Sequence, residues 1–138
     1  MSIFQTQTTS FKKELYQGVH DLSTDTLKIA LYNSLADLNE GTTVYSATNE
    51  VVASGYTAGG NTLTGVTINS ADYTAYVNFA NTSWTAAITA RCALIYNVTQ
   101  GNKSIAVIDF GADKTSTTTF TITMPANTST TALIRSSN

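Results

Sequence analysis

Apolar side chains recur along this chain in two periods. Over most of its length they alternate with Thr, Asn and Ser at a spacing of two, as in strands with one dry and one wet face. Near the start the spacing is four. In "SFKKELYQGVHDL" Phe11, Leu15 and Val19 form one stripe, Ser10 can cap, and Gly18 weakens the last turn. The pattern predicts an extended polar arm over residues 1–9, a short helix over 10–21, and strands thereafter.

The first strand is "TLKIALYN" (26–33), followed by a loop over 34–43 and a stretch, 44–52, that fits strand and loop equally. "SGYTAGGN" (54–61) holds three glycines and reads as a turn. Strands then follow at 62–69 and 73–80, with the hairpin-sized "SAD" between them, and at 83–90, 91–98, 104–110, 117–124 and 131–135. Trp84, Ala86 and Ile88 share one face, as do Phe120, Ile122 and Met124; Pro125 ends that strand. "RCALIYNV" is nearly continuous and apolar, which makes it central, and "SIAVIDF" is a second central candidate. The strand spacing predicts one all-β domain over 1–138, an antiparallel β-sandwich of jelly-roll or Ig-like type with one N-terminal helix.

Composition sharpens this picture. Charged residues make up 12% of the chain, about half the usual share. Threonine, with 26 copies, fills the gap. Being β-branched, it suits either face of a sheet. The net charge is −2 and the seven basic residues are scattered, so the chain lacks the basic stripe of a nucleic-acid binder. No apolar run is long enough for a membrane span, and the start has no apolar core of a signal peptide. The single cysteine, Cys92, rules out an internal disulfide and reads as a small buried thiol.

Candidate chemistry is thin. Asp109-Phe110-Gly111 spells the magnesium-binding triplet of protein kinases, but the glycine-rich loop, strand lysine and catalytic loop that must accompany it are missing. The triplet reads instead as the end of a strand and the start of a turn at "GADK", with Asp109 and Asp113 accepting turn N–H groups or pairing with Lys114 or Arg91. Two carboxylates alone supply too few oxygens for a hard cation. His20 is the only histidine; beside Asp21 near the helix end, it reads as a capping or solvated residue. No spacing marks a carboxylate pair for glycoside hydrolysis. The "GYTAGGN" amides could cradle an anion, though the loop lacks the P-loop signature. The seven tyrosines and Trp84 suit core packing, protein contacts or sugar stacking; Tyr76 and Trp84 are the strongest contact candidates.

Four blocks, "STDTLKIALYNS", "SGYTAGGNTLTG", the Trp84–Tyr96 stretch and "AVIDFGADK" followed by "FTITMPA", resemble small structural proteins of tailed bacteriophages. The resemblance spans roughly residues 22–126 and implies a virion component without catalytic residues or cofactor. The expectation is a capsid decoration, or cement, protein assembled in the bacterial cytoplasm. It would be a homo-oligomer, a trimer, bound to the major capsid protein or another virion protein and engaging neither nucleic acid nor membrane. The expected contact residues are Ile3 and Phe4 on the arm, Phe11 and Leu15 on the helix, Tyr56, Tyr76 and Trp84, and Asp113 and Lys114 in the "GADK" turn. A neck, tail or fibre subunit and a carbohydrate-binding adhesion module are the alternatives.

Overall fold

In the computed structural model, which describes residues 2–137, the chain forms antiparallel sheets packed together as an all-β sandwich with one short helix. The largest sheet holds β1 (Thr6–Gln7), β8 (Lys103–Thr115), β7 (Thr89–Asn97), β2 (Leu27–Tyr32) and β3 (Asn61–Thr62), in that order. A second sheet has the order β10 (Ile134–Ser137), β5 (Thr74–Asn78), β4 (Thr67–Ala71). β6 (Thr82–Trp84) and β9 (Phe120–Ile122) form a two-stranded ribbon.

The five-stranded sheet is dry on both faces, which explains its near-continuous apolar strands. Leu27, Ile29, Leu31, Ala93 and Ile95 face one core with Phe11, Phe79, Trp84, Phe120 and Ile134. Ala30, Tyr32, Cys92, Leu94 and Tyr96 face the other, under Ala36 and Leu38 from the 33–50 segment. The Trp84–Ala90 and Phe120–Met124 alternations hold, with every second residue buried.

The helix, α1, runs from Thr9 to Tyr16, shorter than the sequence pattern suggests. Thr8, not Ser10, is the N-cap: its Oγ1 accepts the Phe11 N–H at 3.3 Å and meets the buried Ser104 hydroxyl at 2.9 Å. Gly18, at φ +70°, ends the helix. Its N–H reaches Leu15 O at 3.1 Å and the Val19 N–H reaches Glu14 O at 3.0 Å, a Schellman closure that the sequence signal of a weakening glycine understated.

The N-terminal segment is not a free arm. Thr6 and Gln7 pair with Val107 and Ala106, and Phe4 and Leu38 are tied by the Phe4 N–H to Leu38 O bond at 2.9 Å. The 62–69 run breaks in two at Gly65, where a Cβ would lie 2.9 Å from the Ala80 Cβ. The β4–β5 hairpin turns on Asp72 and Tyr73, one residue beyond "SAD", with φ of 52° and 61°. "GADK" is no turn either. β8 runs through it, and the register shift between Ala90 and Cys92 absorbs the surplus: Ala90 pairs with Lys114 and Cys92 with Asp109, so Arg91 faces the whole 110–113 bulge.

Candidate interaction surface

The "GYTAGGN" loop is a clasp closed on an internal carboxylate. Glu50 is buried and its Oε1 accepts the Tyr45 hydroxyl at 2.6 Å. Its Oε2 accepts the Tyr56 hydroxyl at 2.5 Å and the Gly59 N–H at 2.8 Å. Tyr56 Oη in turn accepts the Leu31 N–H of β2 at 2.9 Å, and the Tyr96 hydroxyl donates to Gly59 O at 2.6 Å. The loop amide that could have cradled an outside anion therefore serves the protein's own acid. Burial, reinforced by the neighbouring Glu50 charge, raises the Tyr96 hydroxyl to about 12 and pushes Tyr32, Tyr45 and Tyr56 well above the ordinary tyrosine range. The glycines are required by close approach. A Cβ on Gly60 would sit 1.8 Å from Ile29 O, and one on Gly55 would sit 2.4 Å from Thr85 O.

His20 is neither a cap nor solvated. It is buried against Phe11, with ring centroids 5.0 Å apart. Nε2 lies 2.9 Å from Glu14 Oε1, and Nδ1 lies 3.0 Å from Asn97 Nδ2. The same Asn97 amide donates to Asp25 Oδ2 at 2.8 Å. Burial raises the Asp25 carboxyl, but donors from Asn97, the Asp21 backbone and Gln100 outweigh it and leave the group below its usual range. This network pins the helix exit to the end of β7.

At Asp109 the structural reading of the triplet holds for its pairing, though not for the turn: Oδ1 accepts the Gly111 N–H at 2.8 Å and the Arg91 Nε–H at 3.2 Å. Among the described residues no three His, Cys, Asp or Glu side chains gather as a cation site would require. Cys92 is buried, and burial followed by the nearby Asp109 charge pushes its thiol up to about 12.

A trench crosses the accessible surface. Its broad end, about 640 Å³, lies between the outer part of β8 and β9, with Ile108, Phe110, Phe120, Ile122 and Leu133 in its lining and Lys114 on its rim. Through Gln5, Ile108 and Leu133 it continues between β1 and β10, where the Gln7 amide donates to Arg135 O at 2.7 Å. It then passes Lys12, Leu15 and Tyr16 and opens into a side groove between α1 and β5. Three open strand edges border the trench: β8 beyond its short pairing with β1, the side of β9 away from β6, and the side of β10 away from β5. The lining of the trench carries Lys12, Lys114 and Arg135 and, among the described residues, no acidic side chain; Asp21 stands only at the side groove.

The structure gathers some of the expected contact residues here and withdraws others. Leu15 and Tyr76 meet in the side groove above Phe11, and Lys114 lines the broad end. Phe4 is exposed on the N-terminal segment, and Asp113 is exposed on the β8 bulge. Phe11, Tyr56 and Trp84, at 0%, 8% and 4% exposure, are core residues and cannot be surface contacts. Their rings pack on His20, on Trp84 and on Phe120 respectively. Ile3 is half-buried against the second core. The sequence reading missed Lys12, Tyr16 and Arg135, which only the docking of β1 and α1 beside β10 brings together. It also missed Tyr73, whose signal was its place beside Asp72 between two strand patterns; it is 97% exposed.

Fold and surface together define an antiparallel β-sandwich with a long surface trench, and with the buried Glu50 held in a structural clasp. Comparison with protein-family models, with curated proteins and with solved structures finds no match in any of the three.

Proposed function

We propose that this protein is a structural subunit of a tailed-bacteriophage particle, a capsid decoration protein that bridges shell subunits through non-covalent contacts. The observation that carries the proposal is the trench, apolar at its broad end and in its side groove, polar between them, and bordered by unpaired strand edges. Such surface is costly to leave in water and characteristic of a contact site. The four sequence blocks that resemble virion proteins supply the kind of particle. Sparse charge fits a contact repeated many times, because short Thr side chains lose little entropy and little hydration on burial.

The mechanism is cumulative burial over symmetric copies, with no bond made or broken. Trp84, the residue on which the glycan-binding alternative leaned, is interior, so that reading has lost its sugar platform. The test is copy number and position on the particle. Quantitative mass spectrometry and cryo-electron microscopy of virions should find this chain on the outer shell in a number set by shell symmetry. A number set by the tail or neck would move it there. Glycan binding by isolated protein, with no association with particles, would overturn the assignment.

A further inference from the structure

We infer that the β4–β5 hairpin of one copy docks into the trench of the next, so that β4 adds to the outer edge of β10 in place of the Gln7 amide and the protein assembles head to tail. This rests on reading the trench as a contact surface. Within one molecule β4 and β10 are the two outer strands of the same three-stranded sheet, with β5 between them. A copy therefore cannot satisfy one edge with its own other edge. A neighbour can, and the sheet then continues as β10-β5-β4 followed by the β10 of the next copy.

The two surfaces match in chemistry as well as in backbone. Among the described residues β4 has no strand partner on its outer side, and all five of its residues are exposed. The Thr67–Asn78 ribbon contains one charged residue, Asp72, at its tip, and the trench presents Lys12, Arg135 and Lys114 without an acidic side chain among the described residues. Tyr73 beside it is almost wholly exposed and lies in the left-handed region, where a bulky side chain is disfavoured. Among the described residues little covers that ring, whereas the trench offers an apolar floor of Ile108, Phe110 and Leu133. Because the hairpin tip at Asp72 and Tyr73 lines no part of the trench, the contact is heterologous, and it closes only by forming a ring of copies.

The experiment uses the full chain in three forms and reads mass by sedimentation at about 100 µM, well above a micromolar Kd. Wild type should sediment as an oligomer. A Lys12→Glu/Arg135→Glu double variant should sediment as a monomer, and so should Tyr73→Gly, which should melt no lower than that monomeric double variant because glycine suits the turn. Mixing the two variants should give a one-to-one dimer, because one contributes an intact trench and the other an intact hairpin. A monomeric wild type, a Tyr73→Gly protein that assembles like wild type, or a mixture that stays monomeric would each overturn the inference. A monomeric protein that still decorates shells would leave the proposed function standing. An oligomer formed through the hairpin that ignores particles would do the reverse.

Discussion

Gly60 lies against the backbone of β2 so closely that a methyl group would occupy the space of Ile29 O. Gly60→Ala should therefore lower stability by about 3 kcal/mol or more, read from urea denaturation, because backbone and not a movable side chain blocks the space. Glu50 makes a different demand. Its three donors are arranged for a carboxylate, so Glu50→Gln should cost about 2–3 kcal/mol, and more than Tyr45→Phe, which removes one donor at the rim. At His20 the Asn97 amide donates to Nδ1, which leaves the ring proton on Nε2 toward Glu14. Nitrogen-detected NMR should find the Nε2–H tautomer; the Nδ1–H tautomer would mean that the Asn97 amide is turned the other way.

At the scale of elements, the ends matter more than the middles. Thr8→Ala should cost about 1 kcal/mol through the lost cap, with more added because the buried Ser104 hydroxyl loses a partner. Ser10→Ala should matter less, since Ser10 sits inside the first turn; thermal melting of both variants compares them. The alternating strands and the central place of β7 were legible in the sequence, because period-two burial and a two-faced dry strand leave direct marks on residue order. Phe120, Ile122 and Met124 face inward as their alternation implies. The continuation of β8 through "GADK" was not legible. Gly and Asp favour turns, but here long-range pairing with β7 holds the strand and pushes the surplus into a bulge. Burial of Trp84 was hidden for a related reason: alternation gives the two sides of a strand, and only the stacking of sheets decides which side is inner. Glu50 left no signal at all, because its partners come from 45, 56 and 59 and meet only when the loop folds back.

At the scale of the molecule, the tyrosine clasp makes stability depend on alkaline pH. Folding raises the hydroxyls of Tyr32, Tyr45, Tyr56 and Tyr96 above the unfolded value of about 10, so the folded chain holds protons that the unfolded chain releases. The contribution is complete below pH of about 10 and is lost as pH rises toward the folded values. The urea midpoint should be level from about pH 8 to 9.5 and fall beyond it, with tyrosinate absorbance rising in step with unfolding; a midpoint unchanged to about pH 11.5 would contradict the clasp. Tyr73→Gly should act in the opposite direction on the monomeric chain, raising the melting temperature a few degrees above that of the Lys12→Glu/Arg135→Glu variant as about 1–2 kcal/mol of left-handed strain is relieved.

The lone thiol has a practical consequence. Cys92 is sealed in the middle of the central sheet and disfavours its reactive form, so a sulfhydryl reagent can reach it only when β7 separates from its neighbours. The wild-type chain thus carries its own stopwatch for rare openings. Trapping rates that stop rising with reagent concentration would clock how often the central sheet comes apart, in free protein and in any assembly, without introducing a label.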